Sequence, residues 1–183
     1  PDIEANPDAL VRIADWFGIE AVFVPVIPPE ERPADPSGWE VLARRVMAAG
    51  APIREAGLRF GWHNHDFELA DLGEGDRPLD HIAGAGLDLE LDIGWVVRSG
   101  AVPEAIVERY GDRIVAAHVK DVAPAGENID EDGWSDVGDG VVDWPAVHAA
   151  LQAAGVGRYV VELDNPSDHR RFASRALAAV KRL

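Results

Sequence analysis

Residues 62–69 read WHNHDFEL: His63 and His65 flank Asn64, and Glu68 follows three residues later. Two imidazoles and a carboxylate this close can bind a divalent cation or move a proton near neutral pH. The same residue types recur elsewhere. Asp92 lies in LDLELDIGW, His118 and Lys120 in RIVAAHVKD, and Glu162 and Asp164 in RYVVELD. Imidazole nitrogens and carboxylate oxygens without sulfur suit Mn²⁺, Zn²⁺ or Fe²⁺. The chain has no cysteine, which excludes thiolate metal sites and disulfides. A lone histidine is more often a hydrogen-bonded core or surface group than a ligand. Such residues at the ends of four separate segments carry more weight.

Those segments alternate with helical ones. The spacing predicts helices over 7–18, 37–57, 78–84, 103–110, 144–155 and 167–183. Asn6 is the expected cap of the first, with Pro7 in its first turn, and Gly57 is the expected stop of the second. Strands are predicted over 20–26, 58–65, 87–95, 113–121 and 158–164, and a long loop over 122–143. Strand–helix alternation predicts parallel βα units with crossover connections. No GxGxxG follows a strand, which weakens an open dinucleotide-binding sheet. Leu89, Leu91 and Ile93 share one strand face, and Asp88, Glu90 and Asp92 share the other. In the other strands, too, one face is aliphatic while the other turns polar toward the C-terminal end. An open sheet covered on both sides would want both faces apolar. A barrel whose mouth is a binding site wants this pattern. The expected fold is therefore α/β, a (β/α)₈ TIM-barrel type with about five of the eight units, as a single partial barrel domain over residues 1–183.

Bulk properties narrow the partners. With 47% hydrophobic residues in 183, one globular domain with a real core is expected. The net charge of −16 repels phosphate backbones, so nucleic acid is not an expected partner. No apolar run approaches the roughly 18 residues of a membrane span. The opening PDIEANPD is polar and acidic, unlike a secretory signal, and the lack of cysteine suits a cytoplasmic location.

The segments GLRFGWHNHDFEL, LDIGWVVRSG, RYGDRIVAAHVKDV, VGDGVVDW and YVVELDNPSD, in this order, resemble the xylose-isomerase-like barrels, the sugar phosphate isomerase/epimerase group. The resemblance runs from about residue 20 to the end. It implies strands four to eight of a (β/α)₈ barrel, with the first three βα units missing from this chain. It also implies a divalent ion at the mouth: manganese foremost, with Zn²⁺, Mg²⁺, Fe²⁺ and Co²⁺ as alternatives. Its ligands would be His63, Asp92, His118 and Glu162. The implied substrate is a small sugar or keto-polyol, processed through an enediolate. Glu162 would be the base, and His65, Lys120 or His63 would return the proton. Trp95 and Trp134 are candidates to stack on the sugar, and Glu68 to orient a histidine beside it. Gly138 and Gly140 match the family's loop before a helix.

The family's epimerases carry Glu where this chain has His63. A histidine-rich segment there resembles the inosose dehydratases, so a lyase acting on a keto-polyol is the alternative reaction. An accessory, non-catalytic truncated barrel is a further alternative. The superfamily's apurinic-site endonucleases fit less well, because they must hold DNA phosphates. The strand edges of a partial barrel imply either a homo-oligomer or another chain that completes the barrel.

Overall fold

The computed structural model describes residues 2–183. The chain divides into two compact units, one ending at Glu90 and the other beginning at Leu91. The first contains α1 (Asp2–Ala5), α2 (Pro7–Phe17), β1 (Ala21–Val24), α3 (Pro36–Ala49), α4 (Ala51–Glu55), β2 (Arg59–His63), α5 (Pro78–Gly84) and the start of β3 (Asp88–Asp92). The second contains the end of β3, then α6 (Ile93–Arg98), α7 (Pro103–Tyr110), β4 (Ile114–Val119), β5 (Asp121–Val122), β6 (Trp134–Ser135), α8 (Trp144–Ala153), β7 (Tyr159–Val161) and α9 (His169–Val180). No helix among the described residues is long and apolar enough to cross a membrane.

In the first unit β1 pairs parallel with β2, and β2 with β3, in the register His63 to Glu90. Asn6 caps α2 as expected: its Oδ1 accepts from the Ala9 backbone N–H at 3.1 Å, with Pro7 in the first turn. The single helix predicted over 37–57 is two helices, broken at Gly50. Pro52 lacks the N–H that would continue the α3 ladder, and its ring crowds the preceding turn, so a new helix starts there. Phe60, Trp62, Trp39, Ile53, Leu79 and Ile82 are buried and form the apolar core. At Gly61 the backbones of β2 and β3 approach closely. A Cβ there would lie 2.2 Å from the Asp88 carbonyl oxygen, which only glycine avoids.

β2 stops at His63, two residues earlier than predicted. The cause is Glu68, which is 0% exposed. Its carboxylate accepts from the Trp62 indole N–H at 2.8 Å and from the His65 backbone N–H at 2.7 Å, folding the chain back after the strand. Burial nevertheless dominates those two bonds and pushes the Glu68 carboxyl up from about 4.5 to about 7.

In the second unit β4 pairs parallel with β7, His118 in register with Val160. The strand predicted over 87–95 gives way to α6 because Asp92 caps that helix, accepting from the Trp95 backbone N–H at 2.9 Å. The strand predicted over 158–164 is only Tyr159–Val161. The predicted loop over 122–143 contains one antiparallel pair, β5 with β6. The rest of it is gathered by Asp121, a buried carboxylate. Its Oδ1 accepts from the backbone N–H of Val122 and Val142 at 2.9 and 3.2 Å. Its Oδ2 accepts from Gly138 and Gly140 at 2.8 and 3.3 Å and from the Trp144 indole at 3.0 Å. A Cβ on Gly140 would lie 2.2 Å from Asp121 Oδ1.

Two predictions follow from these carboxylates. Asp121→Ala strands five donors and should cost about 3–5 kcal/mol in urea unfolding; a loss of under about 1 kcal/mol would mean that water replaces the bonds. For Glu68, the folded carboxyl binds more protons than the unfolded one between about pH 4.5 and 7. Stability should therefore fall as pH rises through that window, by about 3 kcal/mol in all. In Glu68→Gln this decline should vanish; identical slopes for the two proteins would refute the assignment.

Candidate active site

The second unit brings together most of the residues singled out by sequence. Asp92 ends β3, His118 lies on β4, Lys120 follows β4, and Glu162 follows β7. Parallel pairing places the ends of β4 and β7 at the same edge, which is why residues 44 apart in sequence, Lys120 and Asp164, meet there. His118 Nδ1 lies 3.5 Å from Asp92 Oδ2 and 3.5 Å from Glu162 Oε2. Two atoms each about 2.1 Å from one ion at a tetrahedral angle lie about 3.4 Å apart. His118 Nδ1 and Asp92 Oδ2 at this spacing fit two ligand positions of a divalent ion, while the Glu162 oxygen beside His118 is also held by Lys120. Asp92 is 0% exposed and uses Oδ1 for the α6 cap, so Oδ2 is the oxygen turned to His118.

Lys120 is 1% exposed, a costly place for a cation. Its Nζ lies 2.9 Å from Glu162 Oε2 and 2.5 Å from Asp164 Oδ2, and 4.1 Å from the centre of the Trp134 ring. The charge is thus compensated by two carboxylates and an aromatic face. The His118 imidazole first, and Lys120 with it, hold the Glu162 carboxyl well below the ordinary carboxylate range. Burial and the neighbouring Glu162 push Asp164 upward against the pull of Lys120. At neutral pH Glu162 is therefore ionised, as a metal ligand must be.

Trp134 is 1% exposed, and its ring carries the Arg98 guanidinium at 3.3 Å as well as Lys120. Trp95 meets it edge-on, with centroids 4.9 Å apart, and is half-buried. Both tryptophans thus support Lys120, and Trp95 retains some open surface.

In the first unit His63 is 8% exposed and its Nδ1 lies 3.2 Å from Glu90 Oε2. Glu90 is its register partner across β2 and β3, and can fix the orientation of the imidazole. Sequence reasoning missed this role. Alternation puts Glu90 on the face of Asp92, but only the register shows that it faces His63. His65 sits beyond the strand, its ring edge-on to His63 at 5.3 Å and stacked on Phe67 at 5.9 Å. Glu68, fully buried, grips the backbone of His65 rather than a ligand. Asp121 was also missed, although KDV followed by a Gly- and Asp-rich stretch hints at a carboxylate serving backbone N–H groups.

Known proteins show where this arrangement belongs. An inosose dehydratase of Lacticaseibacillus casei is 30% identical over 163 residues, covering 77% of this chain and 54% of that protein. This chain thus spans about half the length of the curated relatives it matches. A sugar phosphate isomerase/epimerase structure from Parabacteroides distasonis superposes with a TM-score of 0.76 at 21% identity, over 98% of this chain and 63% of that one. The structure of an IolI protein with a bound zinc atom superposes with a TM-score of 0.67 at 18% identity, over 95% of this chain and 64% of that one. The family model described as "xylose isomerase-like TIM barrel" matches residues 6–183. The chain belongs to the xylose isomerase-like TIM barrel family.

Proposed function

We propose that this protein is part of a divalent-metal-dependent enzyme that removes a proton beside the carbonyl of a keto-polyol or sugar. The observation that carries the reading is His118, 3.5 Å from an oxygen of Asp92 and 3.5 Å from one of Glu162, with Lys120 paired to the same glutamate. His63 is the proposed fourth ligand. It stands at the C-terminal end of β2, in register with Glu90. The similar IolI structure holds a zinc atom, which supports a divalent metal in this protein too; manganese remains the metal proposed first.

A divalent ion held there would supply positive charge beside the oxygen that becomes negative as the carbon next to a carbonyl loses its proton. The remaining chemistry belongs to the side chains. Glu162 is ionised and has two oxygens, so one can face the ion while the other accepts the proton. Lys120 keeps that carboxylate charged until it does so. His65 is not needed as a ligand and is assigned the return of a proton. If the proton goes to carbon, the outcome is isomerisation or epimerisation. If it goes to a departing hydroxyl, water leaves and the outcome is dehydration. A histidine at position 63, and the relatives named inosose dehydratase, favour dehydration. The sugar phosphate isomerase/epimerase structure keeps isomerisation as the second reading.

The test combines binding and turnover. Mn²⁺ or Zn²⁺ should raise the melting temperature of the protein, and His118→Ala should abolish the rise. With metal, a keto-polyol such as inosose should lose water, seen as a mass change and a new conjugated-ketone absorbance. Glu162→Gln should slow that turnover by about 10²–10⁴-fold. Proton exchange at carbon without water loss would select isomerisation. A folded protein that binds no metal would refute the centre.

A further inference from the structure

We propose that Arg32 is a specificity-determining residue that binds an anionic oxygen group, a carboxylate or a phosphate, on the substrate. This rests on the reading that His65 serves a keto-polyol, and it adds the class of keto-polyol: one that bears a negative charge.

Arg32 ends the turn Pro29–Glu31 in the segment that follows β1. Because β1 and β2 run parallel, that segment leaves the same sheet edge as the segment carrying His65 and Phe67. The guanidinium is fixed twice. Its Nε donates to the Ile27 carbonyl at 3.2 Å, and its carbon sits 3.6 Å from the centre of the Phe67 ring. Phe67 in turn stacks on His65 at 5.9 Å, with planes 15° apart, and on Trp39 at 6.3 Å. Arg32 is thus held in a column of flat groups that ends at the proposed proton-transfer histidine.

What the column leaves over is the fork. The terminal N–H groups of Arg32 meet no acceptor among the described residues. This contrasts with Arg45, paired through two atoms to Glu4, and Arg171, paired to Glu131 and Asp136. In a chain with a net charge of −16, carboxylates are plentiful, yet none within ion-pair distance satisfies this guanidinium. A guanidinium stacked on a ring offers its donors in the plane of the group, pointing away from the stack. That geometry matches the two oxygens of a carboxylate or phosphate. Since the side chain is already ordered, binding does not have to fix it again, and the gain in affinity is correspondingly larger.

Calorimetric titration of the Mn²⁺-supplemented protein tests this with three probes: 3-dehydroshikimate for the carboxylate, ribulose 5-phosphate for the phosphate, and inosose as the neutral polyol. Arg32→Met keeps an apolar chain over Phe67 and removes the fork. At least one anionic probe should bind about tenfold or more weakly to the variant. Inosose affinity should stay within about twofold, which also reports that the variant is folded. The anionic probe that weakens identifies the source of the charge. An equal loss for inosose, no loss for either anion, or wild-type protein that prefers inosose to both anions would each overturn the proposal. Arg32-dependent anion binding without turnover of any probe would support this inference while sinking the enzymatic reading above; turnover of inosose with no Arg32 effect would do the reverse.

Discussion

Parallel pairing is the constraint on which everything else in this molecule depends. Two strands that run the same way finish at the same edge, and the chain must travel through a helix before it can add the next. The segments that leave those strands are therefore gathered together without any need for sequence proximity. Within the first unit this sets the Arg32 segment beside the His65 segment and puts His63 opposite Glu90. Within the second it sets His118 and Lys120 beside Glu162 and Asp164. Strand interiors are mostly spent on apolar packing, and the polar work falls to residues at or just past the C-terminal strand ends.

That division explains what could be read from the amino acids alone. Side-chain alternation makes the buried face of each strand visible, so Leu89 and Leu91 are recognisable as core and Asp92 as something else. Four strand ends with ligand-type residues pointed to a metal centre, and in the second unit His118 stands beside both Asp92 and Glu162. Strand lengths were less legible. Asp92 and Glu68 are the kind of side chain that ends a strand by bonding nearby backbone, and that competition is local chemistry superimposed on the apolar pattern. Glu90 was hidden for another reason. Its importance comes from register, and register is a relation between two segments that neither segment displays.

The molecule uses carboxylates for three different purposes, and their surroundings tell them apart. Asp121 is met entirely by N–H donors and organises backbone. Glu68 is met by two such donors in an apolar setting, and the setting prevails. Asp92 and Glu162 face an imidazole, and Glu162 also faces a cation, so their charge is available to chemistry rather than to architecture. The same functional group is thus scaffold in one place and reagent in another, decided by what stands around it.

The Asp121 hub has a consequence for how this protein can change over time. The stretch from Gly138 to Val142 is shaped by a carboxylate that touches its main chain, not its side chains. Its outline is therefore less dependent on which residues occupy it, apart from Gly138, whose φ is +88°, and Gly140. Val141 is exposed and can drift freely, while its path stays fixed by a single atom group elsewhere in the chain. Such a loop can try new surfaces at little risk to the fold, and the risk is concentrated in one aspartate.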